Sequence, residues 1–187
     1  VVSKVRERAG AKTEEEFKAL PDQTIFDAWY TTGREIGSVR TQQPGVDGTI
    51  VPKMPSKIMK ELLERGRYIY IPLKGYTPEG LAEIYKKAKL YVDFGHFGGP
   101  ERMPKEAAYY GCNILVASHN AAFNDFDVAI PQKYKVHDDE TAEQIEYRIA
   151  DMLQNYEKQK MDFLPFKLKV EGLEDNFINQ LKNVFGR

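Results

Sequence analysis

Between residues 49 and 117, short runs of β-forming residues alternate with amphipathic helical stretches, and this alternation constrains the fold more than any other feature of the chain. Strands are predicted at 49–51, 67–72, 90–94 and 113–117. The second reads Arg67-Tyr68-Ile69-Tyr70-Ile71-Pro72. Between them, 56–66 is predicted helical, with Ile58, Met59, Leu62 and Leu63 on one face and Gly66 as its stop. The next helix is well signed: Thr77 as N-cap, Pro78 at the first helical position, then Leu81, Ile84, Tyr85 and Ala88 at offsets 0, 3, 4 and 7. A further helix at 104–110 ends at Gly111. Crossovers of this length join parallel strands, and strands so continuously apolar are buried on both faces. The expected class is therefore α/β: a Rossmann-like three-layer α/β/α parallel sheet forming a single lobe.

The flanks are patterned differently. Residues 1–45 read as irregular or partly helical, with a short helix near 13–20 and an apolar run from Asp27 to Gly33 that shows no clear period. The turn-rich Thr41-Gln42-Gln43-Pro44-Gly45 marks a boundary, so the ordered lobe is expected over 46–160. Residues 128–131 are predicted as an edge strand, because Pro131 cannot donate to a central ladder. Thr141 and Gln144 have capping-box spacing ahead of the stripe Ile145, Ile149, Met152, Leu153 and Tyr156. Residues 161–187 are expected to be a helical extension. Its last helix carries Phe177, Ile178, Leu181 and Val184 on one side, read as core or lobe–lobe packing.

Composition narrows the function classes. A formal net charge of −1 gives no global positive field to gather a phosphate backbone, so nucleic acid is not an expected partner. No apolar stretch approaches the roughly 20 residues that span a bilayer, and the amino terminus lacks a secretory h-region. A soluble cytoplasmic protein is expected. Cys112 is the only cysteine; it lies in an apolar run and reads as a buried thiol. The chain starts at valine, which suggests a fragment, a processed product or a trimmed chain.

The candidate site is the loop after the third predicted strand, because ligands of open parallel sheets bind beyond the strands' carboxyl ends. It reads Asp93-Phe94-Gly95-His96-Phe97-Gly98-Gly99-Pro100-Glu101-Arg102-Met103-Pro104-Lys105-Glu106. Gly95, Gly98 and Gly99 allow a close backbone approach to a ligand, and the following helix offers free N–H groups to an anion. Arg102 and Lys105 stand where a cation mildly disfavours the helix, which makes better sense beside a bound phosphate. Glu106 in that helix can accept hydrogen bonds from paired ribose hydroxyls. It is also the kind of early-helix carboxylate that the helix dipole favours without any ligand. His96, His119 and His137 are scattered, and no cluster has metal-ligand spacing, so neither metal nor cofactor is expected.

The stretch from Leu81 to Tyr91, followed by Pro104-Lys105-Glu106-Ala107-Ala108-Tyr109-Tyr110-Gly111-Cys112-Asn113-Ile114-Leu115-Val116, resembles the carboxy-terminal lobe of retaining GT-B glycosyltransferases, the glycosyl transferases group 1 superfamily. In that family Pro-x-x-Glu-Ala is followed by a glycine five residues beyond the glutamate and then an apolar strand; Glu106 and Gly111 keep that interval. The resemblance covers roughly 46–160, with Lys74-Gly75-Tyr76 matching the family's strand-end glycine. It implies that Glu106 holds the ribose of a nucleoside-diphosphate sugar. By the same likeness Gly95, His96, Gly98 and Gly99 line the diphosphate and sugar, while Arg102, Lys105 or Lys74 balances charge. Two departures stand out: Gly98 occupies the position of the family's first glutamate, for which Glu101 would have to substitute, and the proline lies two residues before Glu106 instead of three. The acceptor, a glycan or otherwise, is not specified, and a second lobe or partner chain is expected to complete an enzyme.

The expected activity is transfer of a sugar, of hexosyltransferase type, with Arg102, Lys105 and Glu101 as the catalytic group. The rival reading is a catalytically silent nucleotide- or glycan-binding module or scaffold on the same fold. A flavodoxin-like or response-regulator domain is a third, lacking an acidic cluster after the early strands.

Overall fold

The computed structural model of the chain describes residues 2–42, 50–52, 56–95 and 101–185. Its centre is a parallel sheet of β1 (Ile50–Pro52), β2 (Leu90–Asp93), β3 (Asn113–Ala117) and β4 (Lys135–Val136), hydrogen-bonded in that order. Every residue of β2 and β3 is buried, as strands covered on both faces must be. On the outer side of β1, Tyr70 bridges Ile50 in parallel, and the Ile71 and Leu73 N–H groups donate to the carbonyls of Ile50 and Pro52. The predicted strand at 67–72 is thus a short edge segment. The chain steps outward from β1 to this edge, then crosses back to β2, so the strand order reverses between β1 and β2.

The helices are α1 (Val2–Arg8), α2 (Glu14–Lys18), α3 (Asp22–Gln42), α4 (Lys57–Arg65), α5 (Pro78–Lys87), α6 (Arg102–Tyr109), α7 (Ala142–Gln154), α8 (Tyr156–Gln159), α9 (Leu164–Glu171) and α10 (Leu173–Phe185). α4 packs on α7, and α6 packs on α5 and α9. With right-handed crossovers the reversal at β1 places these two groups on opposite faces, which gives three layers. The chain is therefore α/β and Rossmann-like.

Local chemistry explains the helix ends. Ser56, Thr77 and Thr141 each accept a backbone N–H in the first turn of α4, α5 and α7, and Thr141 with Gln144 completes a capping box. α4 stops at Gly66 with φ 66°, a left-handed conformation that glycine adopts without strain. Gly111, at φ 92°, turns the chain from α6 into β3 while its carbonyl accepts the Tyr156 hydroxyl at 2.7 Å. The buried Glu146 of α7 lies 2.9 Å from Arg65 and 3.4 Å from Arg67, fixing α7 against the end of α4.

Two expectations are corrected. Residues 2–42 are largely helical and share the core: Val5, Phe17, Ile25, Phe26, Ala28 and Trp29 are buried with the sheet residues. The apparently aperiodic run is helical because Ile25, Ala28, Trp29 and Thr32 follow 0, 3, 4, 7 spacing and all are buried. The Trp29 indole N–H donates to the Tyr70 carbonyl at 3.1 Å, so α3 also ties down the edge segment. The second correction concerns 128–131, which forms no strand: the Ile130 N–H turns back to the Val128 carbonyl, and the edge is β4. The stripe of α10, expected in core or lobe–lobe packing, is exposed at Phe177, Ile178, Leu181 and Val184 and so lies outside the core of the described residues.

Candidate functional site

The reversal of strand order between β1 and β2 is where an open parallel sheet parts its connections and leaves a crevice at the carboxyl edge. A cavity of about 710 Å³ lies at that edge. Every strand contributes to its walls. Ser56 and Lys57 follow β1, Phe94 and Gly95 follow β2, His119 follows β3, and His137 and Asp138 follow β4. Thr141, Ala142 and Ile145 supply the first turn of α7. Two helix amino termini, those of α4 and α7, thus meet at one cavity. Each brings N–H groups without intrahelical partners and the positive end of its dipole.

Beside β2 the geometry is tight. The Asp93 side chain, 1% exposed, accepts the Tyr91 hydroxyl at 3.0 Å through Oδ2 and the Gly95 N–H at 3.0 Å through Oδ1. Burial, then the nearby Asp93, pushes the Tyr91 phenol well above its ordinary range, so Tyr91 serves as a hydrogen-bond donor and not as an acid. Beyond β3, His119 Nε2 lies 2.9 Å from Asp138 Oδ1, linking the loops after β3 and β4 across the cavity wall. Asn120, next in the chain, holds φ 46°, a left-handed conformation that asparagine tolerates better than most residues. Glu140 is held by Arg148 at 2.6 Å. The lining carries Glu61, Asp138 and Glu140 against Lys57, a balance that suits hydroxyl groups on this wall better than a diphosphate.

The residues predicted to form the site divide around this cavity. Gly95 lines it. His96, Gly98 and Gly99 lie outside the described residues. Glu101 stands at the N-cap of α6 in an extended conformation, without a side-chain hydrogen bond to the helix. α6 begins at Arg102 and not at Pro104; Pro104 is buried in the first turn, where a missing N–H costs nothing. Arg102 Nε lies 2.8 Å from Glu106 Oε1. The charge expected to face phosphate and the carboxylate expected to hold ribose are therefore joined in one ion pair. Lys105 lies in the same first turns. Lys74 is displaced from this group: its ammonium sits 4.3 Å over the Tyr30 ring, beyond the end of the edge segment. Lys74, Glu101, Arg102, Lys105 and Glu106 do not line the cavity.

Sequence reading missed Ser56, Lys57, His119, His137, Asp138 and Thr141 as neighbours. The available signal was positional, since each follows a parallel strand or opens a helix and such positions share the carboxyl edge. His119 and His137, scattered in sequence, line one cavity. Among the described residues no group of three or more His, Cys, Asp or Glu side chains could hold a metal ion, and no helix is long and apolar enough to cross a membrane. Compared with protein-family models, with curated proteins and with solved structures, the chain gives no match.

Proposed function

We propose that the chain is the donor-binding lobe of a GT-B-type glycosyltransferase, which binds a nucleoside-diphosphate sugar at the carboxyl edge of its sheet and transfers the sugar to an acceptor. The observation that carries this reading is the reversal of strand order between β1 and β2. The loop leaving β2 there runs from the cavity wall at Gly95 to the Glu101 cap of α6. Rossmann-like sheets bind nucleotides at such a reversal, on backbone N–H groups and helix amino termini.

In this reading Glu106 accepts the ribose hydroxyls, and Arg102, hydrogen-bonded to it, holds the carboxylate in place while presenting positive charge to the diphosphate. Lys105 adds a second cation on the same helix. The cavity, with Glu61, Asp138 and Glu140 on its wall, receives the hydroxyl-rich sugar. Stabilisation of the departing diphosphate by these cations and by the helix end drives transfer, with no covalent nucleophile needed. A second lobe or partner chain binds the acceptor.

The Arg102–Glu106 pair also favours the second reading, a silent binding module, because two groups that neutralise each other need no reacting substrate to be satisfied. One experiment separates the readings. The protein is incubated with UDP-, GDP- and ADP-sugars while thermal stability and donor hydrolysis are followed together. A ligand at a hundred times its Kd adds about 2.7 kcal/mol. Stabilisation with hydrolysis supports the transferase, stabilisation without it supports a silent nucleotide-binding module, and no stabilisation by any donor removes the donor-site reading.

A further inference from the structure

Helix α10 carries six large apolar side chains that are exposed in the described structure. Leu173, Phe177, Ile178, Leu181, Val184 and Phe185 are between 39% and 78% exposed, and α10 packs along α9. Large aromatic side chains carry roughly 150 to 250 Å² each, so this stripe leaves on the order of 600 Å² of apolar surface in water. That is at the upper end of what an isolated domain shows and close to the roughly 800 Å² per partner of a standard interface.

The arrangement of charge around the stripe says what fits it. Ile178, Leu181 and Phe185 have the spacing of a coiled-coil seam; Phe177 and Val184 lie on one shoulder, Asp175 and Lys182 on the other. Asp175 and Lys182 are seven positions apart, hence on the same line of the helix. When two copies pair antiparallel about a two-fold axis, each shoulder meets its own copy. Phe177 and Val184 then face their counterparts, and Asp175 meets Lys182 of the second copy twice, with Ile178 beside the axis. Parallel pairing sets each charged shoulder against an apolar one. The stripe is thus self-complementary in one orientation, as a closed dimer requires.

We propose that the chain forms a homodimer through antiparallel pairing of α10 with α10 of a second copy. This stands independently of the nucleotide reading. The test is the mass of the whole chain by sedimentation or light scattering from low to high micromolar concentration. Wild type is expected to dimerise with concentration, and Ile178→Glu with Leu181→Glu to be monomeric with an unchanged far-UV spectrum and, at concentrations below those at which wild type dimerises, an unchanged thermal transition, since both side chains lie outside the core. Asp175→Lys alone is expected to weaken the dimer by on the order of tenfold, and Asp175→Lys with Lys182→Asp to restore it. A wild type that remains monomeric throughout overturns the proposal, whatever other surface the stripe then binds. So does a charge-swapped double variant as weak as the single one.

Discussion

Asp93 Oδ1 accepts the Gly95 backbone N–H at 3.0 Å, which fixes the first bend of the chain after β2 to a buried side chain at the end of that strand. Replacing Asp93 by alanine leaves the buried Tyr91 hydroxyl and the Gly95 N–H without this acceptor. Such a loss costs about 1 to 3 kcal/mol, or a few degrees of Tm per kcal/mol at this chain length. Tyr91→Phe, which keeps the Gly95 hydrogen bond, is expected to cost less. Thermal denaturation of both variants checks the order; an Asp93→Ala protein as stable as wild type would remove the anchored turn.

Trp29, the only tryptophan, is fully buried and donates to the Tyr70 carbonyl at 3.1 Å. Trp29→Ala is expected to cost about 3 to 5 kcal/mol, as truncation of a large core side chain does. Denaturant titration followed by circular dichroism measures this. If the helical amino-terminal segment were a mere appendage of the lobe, the variant would unfold at the wild-type midpoint.

What the sequence disclosed and what it hid have physical causes. The central strands and the capped helices were legible because burial on both faces demands apolar runs, and because Ser56, Thr77 and Thr141 hydrogen-bond their own first turns. β4 was not legible, since half of it is a lysine. Lys135 is fully buried and spends its ammonium on the Asn124 carbonyl and the Asp125 carboxylate, each at 2.9 Å, and no pattern reader places such a residue in a sheet. Residues 128–131 look more strand-like and yet fold as a turn. The cavity wall was legible only at Gly95, which stands in the one contiguous loop read as the site, whereas His119 and Asp138 meet only because β3 and β4 are neighbours.

Lys135 also governs a pH dependence. Its hydrogen bond and charge hold the Asp125 carboxyl below the usual aspartate range. A group whose folded pKa is depressed contributes stability that is present above its unfolded pKa, about 3.9, and is lost as pH falls through the lower folded value. Asp125→Asn is therefore expected to melt below wild type at pH 7, with the gap closing on acidification below about pH 4. A gap that stays constant across this window contradicts the coupling.

Burial pushes the Cys112 thiol up to about 12, and its Sγ donates to the carbonyls of Tyr85 at 3.3 Å and Ala88 at 3.5 Å. Because the thiolate is the reactive form, the native protein is expected to resist a thiol reagent at pH 8 and to take up one equivalent once unfolded. Rapid native labelling would show that α5 and α6 open far more readily than this packing allows.

The donor-site reading meets its most direct test in calorimetric titration of wild type and Glu106→Ala with uridine, guanosine and adenosine diphosphates and their sugars. Glu106 is half-buried and held 2.8 Å from Arg102, so its removal is expected to leave the fold intact. A hydrogen bond to a charged group is worth about 1.5 to 3 kcal/mol, so the account predicts that one nucleotide class binds wild type and that Glu106→Ala weakens it by roughly ten- to a hundredfold. Equal affinity in the two proteins, or no binding by wild type, would contradict it.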